Sequence, residues 1–313
     1  MKQHDFKIGL ALGGGGAAGL AYAGVLRELL DAGIRFDCIA GTSAGSAVGA
    51  ALAAERLDEF ITIMTSISRT RALRLLDPLW RSEGLIGGRR AIEYIRSAVG
   101  GTDGLVEHLA IPFAAVATDL HTGEEVVLDR GTVTDAIRAS IAIPGIFRPH
   151  VIDGRVLVDG GLSNPIPVSV ARGLGADFVI GVSILRVRGA TRNGNGMLPG
   201  VALYSTAAGP EADMLEDEVL NGNHQPMGIL DVIAKGSAVV QTRIAGARLR
   251  DNPADFFVSP RAENIGTFEM TRTGEAFECG RLAARRALPD LLEALALARR
   301  RHANPLRRFF GRR

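Results

Sequence analysis

The chain has 313 residues, 47% of them hydrophobic and 22% charged, which is enough to bury a large core and too apolar for a disordered segment. Its formal net charge is only +2, and seven arginines crowd between Arg299 and Arg313 with no acid among them, so the remainder is net negative. That balance argues against nucleic-acid binding by the body of the protein and leaves the tail as a separate element.

The elements follow in chain order. "KIGLALG" (Lys7–Gly13) reads as a short buried strand, and "AAGLAYAGVLRELLDAG" as a helix with apolar positions at Leu20, Val25, Leu26, Leu29 and Leu30, stopped by Gly33. "FDCIAG" is a second strand, and a second helix opens at Ser43 and runs through Ala54. Such β-α-β-α order calls for a parallel sheet covered by helices. A more polar helical region over Leu57–Val99 is broken at "LLDPLW" and "SEGLIGG". Strands "IPFAAVATDL" and "GEEVVLDRG", a helix over Val133–Ser140 and the strand "RVLVDGG" come next. "NPIPVSVARGLGADFVIGVSIL" is a helix followed by a long apolar strand. Arg186–Met227 is rich in Gly, Asn and Pro, and a loop of that length is either a lid or a disordered insertion. A helix over Ile229–Arg250, a strand in "DFFVSP" and a helix over Gly274–Arg301 complete a single domain.

Two cysteines far apart in sequence, Cys38 and Cys279, fit a reducing compartment and buried, inert thiols. The apolar stretch near the N-terminus is too short for a signal peptide and is interrupted by glycines. Cys38–Ala54 is uncharged but consists mostly of Gly, Ala, Ser and Thr, so no membrane span is predicted and a cytoplasmic location is expected.

Two features carry chemistry. "GGGGAAG" (Gly13–Gly19) lies between a strand and a helix, where backbone N–H groups converge on negative charge. Gly14, Gly16 and Gly19 satisfy a dinucleotide fingerprint, but the second strand ends in Gly-Thr-Ser-Ala-Gly rather than in the acid that would hold a ribose. No Gly-Lys-Ser/Thr follows, which rules out a phosphate loop. A turn for close helix–strand packing and a loop of amides aimed at a developing oxyanion remain. The second feature is Ser43, which stands where a strand turns sharply into a helix, with small Gly41 and Gly45 two residues to either side. The helix beginning at Ala44 points its positive end at the same place.

A serine nucleophile needs a base. None of the six histidines (His4, His108, His121, His150, His224 and His302) lies in a recognisable motif. Asp159 in "VLVDGG" ends an apolar strand before Gly160 and Gly161, which would set it at the carboxyl edge of the sheet. It reads either as a base or as a turn aspartate bonding its own backbone. No His, Cys, Asp or Glu cluster has metal-ligand spacing, so neither metal nor cofactor is expected.

Together, "LGGGGAAGLAYAGVL", "GTSAGS", "ASIAIPGIFRPHVIDGRVLVDGGLSNPIPV" and "GADFVIGVSI" resemble the patatin-like phospholipase family, over about Lys7 to Ile184. The resemblance implies a three-layer α/β/α fold with a mainly parallel central sheet, and a Ser–Asp dyad that works without histidine. By carry-over Ser43 is the nucleophile and Asp159 its base, while the amides of Gly14, Gly15 and Gly16 with that of Ala44 form the oxyanion hole. The implied substrate is a lipid or lysophospholipid acyl ester. An acyltransferase with the same dyad and a non-catalytic regulatory protein are the alternatives. One position departs from the family: Ala18 stands where an Arg or Lys is usual, which bears on selectivity for an anionic head group. "IAIPGIF" (Ile141–Phe147) is either acyl-channel lining or plain core, and the Arg299–Arg313 tail with Phe309 and Phe310 is a candidate peripheral membrane contact.

Overall fold

A computed structural model describes residues 5–75, 89–99, 104–185, 202–204 and 229–303. Among the described residues nine strands form one sheet: β1 (Ile8–Leu12), β2 (Cys38–Thr42), β3 (Phe113–Asp119), β4 (Glu125–Leu128), β5 (His150–Ile152), β6 (Arg155–Asp159), β7 (Phe178–Val182), β8 (Ala202–Tyr204) and β9 (Phe256–Val258). The order across the sheet is β5-β6-β3-β2-β1-β7-β9-β8, with β4 pairing β3. From β3 to β8 every neighbouring pair is parallel, whereas β4, β5 and β6 pair antiparallel.

The helices are α1 (Ala21–Asp31), α2 (Ala44–Ala53), α3 (Leu57–Thr65), α4 (Arg69–Leu75), α5 (Arg89–Ala98), α6 (Val133–Ser140), α7 (Val168–Gly173), α8 (Ile229–Asp251) and α9 (Thr273–Ala303). Side chains alternate across the strands between two cores. Leu10, Leu12, Ile39, Ala115, Ala117, Ile180 and Val182 join the helical layer of α1, α2, α3, α6 and α9. Ala11, Ala40, Ala114, Val116 and Val179 join Val168, Ala171 and Ala245 of α7 and α8. The fold is therefore three layers, α/β/α, and strands buried on both faces read as unbroken apolar runs. Among the described residues no helix is long and apolar enough to cross a membrane.

The structure adds detail that the sequence reading lacked. The first helix is preceded by a separate 3-10 turn over Gly16–Leu20, because Gly16 takes a φ of 55° and the Ala17 amide donates to Thr267 O at 2.9 Å. Pro289 lies inside α9 without ending it. Cys38 is buried, which pushes its thiol up to about 11, while Cys279 is only half-buried. Most of the 186–227 stretch and the end of the arginine tail, 304–313, lie outside the described residues, so the lid and tail readings do as well.

Candidate active site

Because β1, β2 and β3 are parallel, their carboxyl ends open on one edge of the sheet. The glycine loop leaves β1 there, and Ser43 follows the last residue of β2. Asp159 reaches the same edge from an antiparallel strand. Strand β6 runs antiparallel to β3 and overlaps only its end, pairing Leu157 with Asp119 and Asp159 with Ala117. It descends onto the carboxyl edge and stops there.

Ser43 has φ 54° and ψ −122°, a conformation that costs an L-residue on the order of 1–3 kcal/mol and is held only by its surroundings. A Cβ on Gly41 would lie 2.5 Å from Gly45 O, and one on Gly45 would lie 2.4 Å from Leu12 O. Both positions are thus closed to any other residue, the first by the turn itself and the second by the end of β1. The Ser43 amide donates to Ser140 Oγ at 2.8 Å, and that hydroxyl donates to Val116 O at 2.6 Å. Ser140 is fully buried and 97 residues away in sequence, so the local pattern gave no sign of it. Ser140→Ala leaves the Ser43 amide and the Val116 carbonyl without this partner. The expected loss is about 1–3 kcal/mol of stability, measured by urea unfolding.

Ser43 Oγ donates to Asp159 Oδ2 at 2.6 Å. The other carboxylate oxygen, Oδ1, accepts the Gly161 amide at 2.7 Å, so Asp159 is turn-bonded and serine-bonded at once. Its backbone is fixed by its amide donating to Ala142 O at 2.9 Å and by Thr118 Oγ1 donating to its carbonyl at 2.9 Å. Asp159 is 1% exposed, and burial pushes its carboxyl up to about 6 against the lowering effect of the Ser43 and Gly161 hydrogen bonds. Among the described residues Ser43 Oγ bonds no histidine. His150 pairs with Asp135 and His302 lies by Asp177, while His4 and His224 fall outside the described residues.

The glycine loop is pinned at several points. Gly13 N donates to Val182 O at 2.9 Å and Gly14 N to Pro165 O at 3.2 Å. Gly13 O accepts the Gly45 amide at 3.1 Å, tying the loop to the sharp strand-to-helix turn at Ser43, the elbow. Fully buried Tyr22 donates its hydroxyl to Gly14 O and accepts the Ile184 amide at 3.3 Å; burial pushes that phenol well above its ordinary range. Sequence reasoning placed Tyr22 on the first helix without a role. Of the four residues read as oxyanion donors, Gly14 already spends its amide on Pro165. Among the described residues the amides of Gly15, Gly16 and Ala44 have no partner. Ala18 is 1% exposed, in the core. "IAIPGIF" divides: Ala142 and Ile146 are fully buried, while Ile141, Ile143 and Phe147 are half-buried.

A strained serine hydrogen-bonded to a buried carboxylate, beside free amides on a three-layer α/β/α fold, defines a class that comparison with known proteins identifies. Residues 10–172, just over half of the chain, match the family described as "Patatin-like phospholipase", and the chain belongs to that family. It is similar to the "uncharacterized NTE family protein" Rv1063c of Mycobacterium tuberculosis, with 44% identity over 57% of this chain and 49% of that protein. A second Mycobacterium tuberculosis protein of the same description, Rv2565, is 32% identical over 91% of this chain and 47% of its own length. "Patatin-like phospholipase domain-containing protein 7" of Rattus norvegicus is 36% identical over 56% of this chain and 13% of its own. The chain spans about half the length of the mycobacterial relatives it matches.

Proposed function

We propose that this protein is a serine acyl-ester hydrolase acting on lipid or lysophospholipid esters through a Ser43–Asp159 dyad and an acyl-enzyme. The observation that carries the reading is the 2.6 Å hydrogen bond from Ser43 Oγ to a carboxylate whose pKa lies near 6. A base poised just below neutral pH is ionised when needed and still basic enough to take a proton.

In the first half-reaction Asp159 accepts the Ser43 proton as Oγ attacks the ester carbonyl carbon. The tetrahedral oxyanion is held by the amides of Gly15, Gly16 and Ala44, each donor worth about 10²–10³ in rate. Ala44 opens α2, so the positive end of that helix adds to the same field. Gly14 serves as the fixed corner of the loop rather than as a donor, since its own amide and carbonyl are taken by Pro165 and Tyr22. The peptide between Gly14 and Gly15 is planar, with C=O and N–H opposed, so Tyr22 gripping the Gly14 carbonyl turns the Gly15 amide away from itself. Protonated Asp159 then releases its proton to the leaving alcohol. In the second half-reaction water gives its proton to Asp159 as its oxygen adds to the acyl carbon; the bond from that carbon to Ser43 Oγ then breaks, Asp159 returns the proton to Oγ, and the fatty acid is freed. The half-buried Ile141, Ile143 and Phe147, next to the residue that holds the Asp159 amide, offer apolar surface for an acyl chain. By the same reading the protein acts in the cytoplasm, with the Arg299–Arg313 tail as a peripheral contact to anionic membrane.

Release of fatty acid from a lysophospholipid tests the proposal. The expected kcat/KM rises with pH through about 6, as the free enzyme's Asp159 ionises, and then levels. No release over the range, or a rise centred well away from that value, contradicts it.

A further inference from the structure

Helix α8 lies beyond the residues that match the family and crosses the site on one face. Ile233, Ser237, Gln241, Ala245 and Arg248 recur at the spacing of one helical stripe. Ile233 Cδ1 lies 3.7 Å from where a Cβ on Gly145 would be, Ala245 is fully buried on the sheet, and Arg248 Nε donates to Ser163 O at 3.1 Å. The helix is therefore anchored on both sides of Gln241.

At that midpoint the Gln241 carboxamide rests against both catalytic loops. A Cβ on Gly161 would lie 2.5 Å from its Cδ and 2.6 Å from its Nε2. A Cβ on Gly14 would lie 3.2 Å from its Oε1 and 3.6 Å from Ser43 Cβ. A side chain on the second glycine of Asp-Gly-Gly would have to displace this carboxamide, so glycine there lets it lie directly on the loop. Gln241 Nε2 donates to Ser237 Oγ at 3.0 Å, and its Oε1 has no partner among the described residues. A serine hydroxyl serves either end of an amide, so whichever way the amide is turned, Ser237 holds one polar atom and the other faces the glycine loop.

We infer that Gln241 is a specificity-determining residue that seats the hydroxyl of the acyl acceptor, and so sets the balance between hydrolysis and transfer to an alcohol. This rests on the acyl-enzyme reading above. In the step concerned, the acceptor O–H gives its proton to Asp159 while its oxygen bonds to the acyl carbon. The bond from that carbon to Ser43 Oγ then breaks, and Oγ recovers the proton from Asp159. Water yields the acid and an alcohol yields a new ester. Gly161, whose amide holds Asp159 Oδ1, is the residue on which the carboxamide lies, and this sets the carboxamide beside the base. Water depends on such a polar partner, whereas an alkyl alcohol also gains from apolar contact.

The test is the product ratio from a p-nitrophenyl ester in the presence of n-butanol, for the wild type, Gln241→Leu and Gln241→Ala. The ratio of butyl ester to acid does not depend on how much of a variant is folded. Both variants are expected to raise it by about fivefold, the worth of one net hydrogen bond. A ratio within twofold of the wild type in both variants, or no butyl ester from any of the three, overturns the inference while leaving hydrolysis by Ser43 intact. A wild type that forms no acyl group on Ser43 overturns the hydrolase reading and this inference with it.

Discussion

Asp159→Asn is expected to lower kcat by about 10²–10⁴-fold, the span of a lost general base, while making the protein more stable at neutral pH. The two effects share one cause. Burial raises the Asp159 carboxyl from 3.8 to about 6, so the folded state binds that proton more tightly than the unfolded chain does. The group's contribution to stability is complete below about pH 4 and is lost as the pH rises through about 6, amounting to roughly 3 kcal/mol at neutral pH. Asparagine has the same shape, keeps an oxygen for the Gly161 amide and carries no charge to desolvate. Urea unfolding should therefore show Asp159→Asn ahead of the wild type at pH 8 and level with it near pH 4. An aspartate that merely shaped its turn would give a variant with normal turnover.

Ser43→Ala is expected to lower turnover by about 10⁴-fold or more, with the fold unchanged. Ser43→Gly should be equally inactive but distinguishable by its stability. Alanine keeps the Cβ that strains the backbone at φ 54°, whereas glycine relieves it and loses part of the gain to its more flexible unfolded chain. Glycine should lead alanine by about 1 kcal/mol in the same unfolding assay. Equal stability of the two would mean that the elbow stores no strain at this residue.

Much of this site was legible because it is built from local rules. The parallel strands are buried on both faces, and the unbroken apolar runs at Lys7–Gly13 and in "FVIGV" follow from that. The elbow glycines announce themselves because Gly45 O and Leu12 O leave no room for a side chain. What was not legible depends on partners far apart in sequence. Strand β5 has only three residues, and the direction of β6 follows from its pairing with β3, so the route by which Asp159 arrives could not be read. Ser140, Tyr22 and Gln241 each look like ordinary helical residues. Ser140 and Gln241 gain their places from contacts far along the chain, to Ser43 and Gly161, and Tyr22 from the fold of the loop that brings Gly14 back onto it. The engagement of the Gly14 amide with Pro165, which narrows the free donors to Gly15, Gly16 and Ala44, is of the same kind. No histidine stands in a motif in the sequence, and among the described residues the serine's hydrogen bond goes to a carboxylate.

The central claim is that Ser43 is a nucleophile activated by Asp159, and labelling with a fluorophosphonate ester followed by peptide mapping tests it most directly. One label per chain is expected, on Ser43, lost in Ser43→Ala and greatly slowed in Asp159→Asn. An unlabelled wild type, label on another residue, or equal labelling of Ser43→Ala would contradict it.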